Sequence, residues 1–353
     1  MIRIAPWPID RGNPYQQLFY RALEPAKVTL VEGLSINDDS LRDLASRIDV
    51  IHLHWPEYAW RVQGTSTWDE LRSIVGLGRF LRLAKRLGLA VWWTAHNIVP
   101  HEGRSYVNYL GYRIVAAYAD LVVAHSTFAA QEVRRRYHAR EPVVMPIGNF
   151  DNTFPAPRSR EEVFETLGLD PRIPLVTCLG TIRRYKGIPI ALDAVSRLDG
   201  RVQLLVAGDP KPDVDVEVMQ HAAATHPWVR VVLRHISDQE FSDFTAASDA
   251  ILLPYVRATT SAVLLAAWSM GRGVIASDIR CFADELADHP RAGTLAAVDD
   301  PAAFAAAIEQ YLAMPSDQRR AAVLAASAAH SWPRCVGPLL DAIRERKFER
   351  GRN

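Results

Sequence analysis

The chain has 353 residues, 49% hydrophobic and 23% charged, which suits two ordinary globular domains and excludes a disordered or fibrous chain. The formal net charge of +1 supplies no global field for nucleic acid, so a nucleic-acid partner is not expected. The three cysteines, Cys178, Cys281 and Cys335, have neither metal-ligand spacing nor an even-numbered disulfide framework, which favours a reducing, cytoplasmic location. Residues 1–6 carry no long apolar core, so no signal peptide is expected. No apolar run approaches the roughly 20 residues of a membrane span. Peripheral contact with the inner face of a membrane stays open.

Residues 1–155 alternate strand-like and helix-like segments. A strand over 2–5 leads through a loop rich in Pro, Gly and Asn to a helix over 15–23. The apolar strand 50–53 ends in His54-Trp55-Pro56-Glu57. A basic helix over 71–87 stops at Gly88, and a strand over 90–93 ends in Thr94-Ala95-His96-Asn97. A helix over 107–118, a strand over 121–124, a helix opening at Ser126 and a strand over 143–146 follow. This alternation predicts an α/β fold, a parallel sheet with helices on both faces. Residues 152–160 hold two prolines and few apolar residues, the composition of a domain linker.

A second alternating set begins with a strand over 175–179, then Gly180 to Gly187 and a helix to 198. A strand over 202–207 runs into Gly208-Asp209-Pro210, and further strands are expected over 229–233 and 250–253. The apolar run Ile251-Leu252-Leu253 stops at Pro254. Thr259, Thr260 and Ser261 are helix-start residues, a helix over 262–270 is stopped by Gly271 and Gly273, and a strand opens at Val274. Residues 301–330 are Ala-rich and helical, and the tail from Ser331 predicts a last helix.

Polar loops thus stand at three predicted strand ends. In a doubly wound sheet such loops converge on one crevice. Gly180 and Gly187 let backbone approach a ligand, while Arg183, Arg184 and Lys186 can neutralise a diphosphate. The helix start at 259–262 aims unpaired N–H groups at the same edge, a ready anion site. The alternative is a set of solvated turns.

The order Gly180…Lys186-Gly187, Gly208, Asp249…Leu253-Pro254 and Gly271…Val274-Ile275-Ala276-Ser277 resembles GT-B glycosyltransferases, the large group with bacterial mannosyltransferases and sucrose synthases. The motifs His54-Trp55-Pro56-Glu57, His96-Asn97…Pro100-His101-Glu102 and Tyr185-Lys186-Gly187 are similar to those of bacterial exopolysaccharide and glycolipid glycosyltransferases. The resemblance spans about residues 50–285. It implies two Rossmann-like domains whose parallel sheets face each other across a cleft. Residues 1–155, with a returning helix in 331–353, would bind the acceptor, and residues 156–330 the nucleotide-sugar donor. The implied reaction moves a sugar from a nucleotide-diphosphate sugar to a hydroxyl of a glycan, glycolipid or small molecule. The resemblance implies no metal and no cofactor beyond that co-substrate, a GDP- or UDP-sugar. Two other readings are a non-catalytic GT-B protein that binds nucleotide or glycan, and a GT-B sugar-nucleotide epimerase.

The chain departs from the larger group's pattern at one point and from the closer relatives' pattern at a second. Two glutamates eight positions apart, which hold the donor sugar and the ribose, align here with Ala258 and Ala266. A strand that often ends Pro-His-Gly ends here as Pro146-Ile147-Gly148.

On the donor side the candidates are Gly180, Arg183, Arg184, Lys186, Gly208, Tyr255, Thr259, Thr260, Ser261 and Ala262. Arg183 and Lys186 would stabilise the charge that develops on the leaving diphosphate, with Arg184 as substitute. On the acceptor side they are Gly12, Asn13, Tyr15, Asn97, His101 and Glu102. An inverting reaction needs a base, and Asp10, Glu57, His96 and Glu102 qualify, with His96 and Glu57 preferred. Glu102 could equally orient His101. Against these stand a His96 that merely bonds backbone and a Glu57 that is a solvent-exposed loop acid. A retaining reaction needs no base, and the sequence leaves both outcomes open. Asp213-Val214-Asp215 has Asp-x-Asp lettering but lies in a Pro-flanked loop, so a metal site is not expected there. Trp55, Tyr58, Trp60 and Trp68 suit sugar stacking or a buried satellite cluster. The basic segments at Arg72, Arg79, Arg82, Lys85 and Arg86 and at Arg134, Arg135 and Arg136 suit anionic headgroups or a solvated helix face.

Overall fold

Short apolar runs, each closed by a polar or proline-bearing loop, become parallel strands because helices cover both their faces. The computed structural model describes residues 1–61, 66–98 and 106–346. Its contacts divide it into two units, residues 1–148 with the tail from Trp332, and residues 149–331. The segment 152–160 therefore lies inside the second unit.

In the first unit the strands are β1 (Ile2–Trp7), β2 (Val28–Leu30), β3 (Val50–Leu53), β4 (Ala90–Thr94), β5 (Leu121–Ala124) and β6 (Val143–Val144), all parallel, in the order β2-β1-β3-β4-β5-β6. The chain adds β2 on one side of β1 and everything later on the other, so the order reverses between β1 and β3. The register sets His52 beside Pro6 and Trp92. The helix Pro14–Ala22 returns from β1; Asn13 caps it by accepting from Tyr15 N at 3.0 Å, and Pro14 opens it. The helix Thr67–Arg86 begins earlier than its periodicity suggests because Ser66 and Asp69 form a capping box. It buries Ile74, Leu77, Phe80, Leu81 and Ala84 in one core with Trp60, Trp93 and Tyr112. The tail packs here as the helices Trp332–Cys335 and Gly337–Arg346. Its Trp332 ring lies where a Cβ on Gly148 would come within 2.3 Å, so position 148 has room for glycine alone.

The second unit's strands are β7 (Leu175–Leu179), β8 (Gln203–Ala207), β9 (Val229–Val232), β10 (Ala250–Leu253), β11 (Val274–Ser277) and β12 (Gly293–Ala296), again all parallel, in the order β12-β11-β10-β7-β8-β9. Here the order reverses between β7 and β10. The Ala-rich stretch forms two helices, Pro301–Ala313 and Ser316–Ala329. Pro315 separates them, since proline cannot donate to the preceding turn.

Candidate functional site

The second unit's polar loops meet backbone to backbone. Gly208 has φ 155°, and a Cβ there would sit 2.0 Å from the Gly180 carbonyl oxygen. Gly187 has φ 65°, and its Cβ would meet the Pro254 carbonyl at 2.0 Å. Gly180 N donates to Ala207 O at 3.0 Å, Ile182 N to Asp209 O at 2.9 Å and Val256 N to Tyr185 O at 2.8 Å. The loops after β7, β8 and β10 are thus one surface at the switch point of the sheet, where open α/β sheets bind ligands.

Lys186 sits inside that surface. Its Nζ donates to Leu179 O at 3.0 Å and lies 5.5 Å from the centre of the Tyr255 ring. The side chain is buried, and among the described residues no carboxylate pairs with it. Burial favours the neutral amine and pulls its pKa from 10.5 down to about 8. A buried ammonium without a carboxylate is poised to accept an anion from outside the chain. Arg183 is part-buried and Arg184 exposed on the same loop, and Arg184 N donates to Asp213 Oδ2 at 3.3 Å. Asp215 caps the helix Val216–Thr225 by accepting from Glu217 N at 3.0 Å. Ser261 caps the helix Ala262–Ser269, its Oγ accepting from Leu264 N at 3.3 Å. Thr259 and Thr260, partly open to solvent, and Ala262, exposed, form the rest of that helix start. Tyr255 is buried against Tyr185, edge to face at 5.7 Å. Of the two alanines that stand where glutamates were expected, Ala258 is partly open in the loop and Ala266 is buried.

The carboxyl edge of the first sheet gathers histidines. His52 lies in β3, and His54, His96 and His125 follow β3, β4 and β5. His96 Nε2 is 3.0 Å from His54 Nδ1, His54 Nε2 is 2.8 Å from Tyr20 Oη, Tyr20 Oη is 2.7 Å from His52 Nδ1, and His52 Nε2 is 2.8 Å from Thr94 Oγ1. His125 Nδ1 donates to Met145 O at 3.0 Å. Burial, reinforced by the neighbouring imidazoles, holds His54 and His96 neutral far below the usual histidine range. Burial lowers His52 to about 3 and His125 to about 4. Tyr15 packs edge-on against His96 at 4.9 Å and against His125 at 5.4 Å.

His96 alone of the four still reaches solvent. Its open face is covered by Trp55, stacked at 4.5 Å and 18°, and Tyr58 stacks on Trp55 in turn. Its Nδ1 makes no hydrogen bond among the described residues. The alternative in which His96 merely bonds backbone therefore describes His125 instead. Glu57 is buried rather than solvent-exposed, and Asn97 Nδ2 donates to its Oε1 at 2.9 Å. Burial pushes the Glu57 carboxyl above its ordinary value. Asn97 and Glu57 thereby tie the loops after β3 and β4 together. Gly12 and Asp10 form a local turn, with Gly12 N donating to Asp10 Oδ1 at 3.1 Å. His101 and Glu102 lie outside the described residues.

The aromatic set divides. Trp60 is core, its Nε1 donating to Asn108 Oδ1 at 3.0 Å, and Trp68 is exposed. Much of the basic surface is paired locally: Lys85 with Asp120 at 2.6 Å, and Arg135 and Arg136 with Glu132 at 2.9 and 2.6 Å. The sequence reading did not reach His52, His125, Tyr20 or Thr94. The available signal was a histidine inside an apolar strand, two residues before a second histidine at that strand's end.

Two doubly wound parallel units with polar loops at their carboxyl edges define the GT-B fold. Anabaena HepE in complex with UDP shares it at a TM-score of 0.73, with 15% identity and 98% of this chain and 100% of that one covered. Sucrose-phosphate synthase from Thermosynechococcus elongatus does so at 0.72, with 17% identity and 99% of each chain covered. Residues 173–314 match the model of glycosyl transferases group 1. The chain is 29% identical over 274 residues to GDP-mannose:glycolipid 4-beta-D-mannosyltransferase of Xanthomonas campestris pv. campestris, covering 76% of this chain and 71% of that protein. It is 27% identical over 290 residues to D-inositol 3-phosphate glycosyltransferase of Rhodococcus opacus, covering 73% and 63%. The protein is a glycosyltransferase, and residues 173–314 are its glycosyl transferases group 1 domain.

Proposed function

We propose that the chain moves a sugar from a nucleoside-diphosphate sugar, held by the second unit, to a hydroxyl acceptor bound by the first. The observation that carries this reading is Lys186, a buried ammonium with no carboxylate partner among the described residues, at the meeting point of three strand-end loops. As the sugar leaves, negative charge grows on the diphosphate. Lys186, Arg183 and the N–H groups opening the helix Ala262–Ser269 stabilise it in place, with no metal required. The acceptor hydroxyl loses its proton to His96, whose neutral imidazole is kept unprotonated at neutral pH by burial. Stacking on Trp55 then favours the imidazolium that forms. Glu57 holds Asn97 and, through it, the His96 loop.

GDP-mannose is the preferred donor, because the Xanthomonas relative is a GDP-mannose:glycolipid mannosyltransferase. A UDP-sugar is the second reading, favoured by the UDP-bound Anabaena structure. The acceptor class is a hydroxyl of a glycan, glycolipid or small molecule, met in the cytoplasm or at the inner face of the membrane. A panel of GDP, UDP, dTDP and ADP, scored by thermal shift, tests the donor side. A ligand at a hundred times its Kd stabilises by about 2.7 kcal/mol, enough to read clearly. One nucleotide is expected to raise Tm in the wild type and to lose that effect in Lys186→Ala. No shift with any of them, or an equal shift in the variant, overturns the assignment. Transfer that persists in EDTA is expected.

A further inference from the structure

The links among Thr94, His52, Tyr20, His54 and His96 form a chain of four hydrogen bonds, 2.7 to 3.0 Å long, and the Tyr15 hydroxyl stands beside its Thr94 end. A neutral imidazole carries one proton, as does a phenol. Tyr20 has an imidazole nitrogen on each side, so its one proton can serve only one of them. These constraints leave two proton arrangements that satisfy every link. In the first, His96, His54 and His52 all carry the proton on Nε2: His96 donates to His54, His54 to Tyr20, Tyr20 to His52, and His52 to Thr94. In the second, all three carry it on Nδ1 and every bond runs the other way, starting from the Thr94 hydroxyl. Any mixed set strands a buried N–H, a buried O–H or two facing lone pairs.

We propose that Thr94, His52, Tyr20 and His54 are positioning residues, a proton wire that sets which nitrogen of His96 is basic. The inference rests on the reading of His96 as the acceptor-side base. Only the Nε2–H arrangement leaves a lone pair on His96 Nδ1, the nitrogen with no partner among the described residues. In the transfer step the acceptor oxygen forms its bond to the anomeric carbon, and the bond from that carbon to the diphosphate oxygen breaks. The bonding pair leaves on the diphosphate, and the acceptor proton goes to His96 Nδ1. In the Nδ1–H arrangement that nitrogen is occupied and the step has no acceptor for its proton. The Thr94 hydroxyl, three side chains along the wire from His96, therefore controls the base without touching its ring.

The test reads tautomers directly, by nitrogen NMR of protein labelled at histidine, with no substrate present. In the wild type His52, His54 and His96 are expected to share one tautomer, or to exchange as a set; a mixed set overturns the wire. Thr94→Val removes the acceptor that the His52 Nε2 proton needs. A stranded buried N–H is worse than a stranded lone pair, so all three histidines move to Nδ1–H. The expected kcat falls about tenfold or more, with KM for the donor unchanged, and Thr94→Ser restores both tautomer and kcat. Tyr20→Phe cuts the wire at its middle and is expected to uncouple His52 from His96. If His96 keeps its tautomer and kcat holds in Thr94→Val or in Tyr20→Phe, the inference fails. Full turnover in His96→Gln overturns the base reading and the wire's role with it. Mixed tautomers beside an inactive His96→Gln overturn the wire alone.

Discussion

Lys186 is an ammonium in a place that favours the amine. Its stem crosses apolar ground beside Cys178 and Tyr255, and among the described residues its hydrogen-bond acceptor is the Leu179 carbonyl. With a pKa of about 8, the charge proposed to bind a diphosphate is nearly complete at pH 7 and mostly lost at pH 9. Nucleoside diphosphate affinity is therefore expected to be level below about pH 7.5 and to weaken as pH rises through 8. The limiting slope is tenfold per unit, until the raised pKa of the complex is reached. Isothermal titration at pH 6.5, 7.5, 8.5 and 9.5 checks this. Lys186→Arg keeps its charge at every one of those values and should flatten the curve, even if its larger head binds less tightly. A curve of the same shape in Lys186→Arg would assign the titration to another group. The sequence could propose this lysine from its place between two glycines. It could not tell that burial, rather than a neighbouring charge, sets its pKa.

At the level of elements, strand ends were legible because their chemistry is local. His54 and His96 each close an apolar run, and Gly180, Gly208 and Pro254 do the same in the second unit. The partners were not legible, since Tyr20 meets His52 across 32 residues and His54 across 34. No periodicity predicts such a pairing. β2 escaped notice because it is three residues long and mostly exposed, without the continuous apolar run of its neighbours. The glycines show what fixes the loops. An alanine at 208 brings its Cβ to 2.0 Å from a backbone oxygen that has no rotamer to escape into. Gly208→Ala must therefore separate the loops after β7 and β8, at a cost of about 1–3 kcal/mol or more in stability. Nucleotide binding should weaken in proportion. Gly76, exposed inside the helix Thr67–Arg86 with nothing within 4 Å of its missing Cβ, is the matched control. There alanine should stabilise by about 0.5–1 kcal/mol. Urea unfolding of the two variants gives opposite signs if backbone contact is what fixes position 208.

For the whole molecule, four neutral histidines, three buried and His96 part-buried, make stability rise with pH. An ordinary histidine titrates near 6.5, whereas His52 and His125 are held at about 3 and about 4 and His54 and His96 well below their ordinary value. Between those lowered values and 6.5 the unfolded chain binds more protons than the folded one. Stability then rises with pH across that window and falls as pH drops through it. Each histidine kept neutral contributes about 1.4 kcal/mol per pH unit at the limit. Glu57 works in the opposite sense, because burial raises its pKa and the folded state binds its proton first. Glu132 and Glu240, lowered to about 2 by arginine partners, lose their contribution only below 4.5. The interval from 6.5 to 4.5 therefore reports mainly the histidines. The urea midpoint is expected to slip a little from pH 8 to 7, where the lowered pKa of Lys186 acts in the same sense, and then to fall steeply toward pH 5. His125→Asn keeps an amide to donate to Met145 O but has nothing to titrate, so it should lower that slope by about one histidine's share. A midpoint level between pH 7 and 5 would mean that the imidazoles take up protons without opening the fold, and the proposed wire through His52, His54 and His96 could not be neutral.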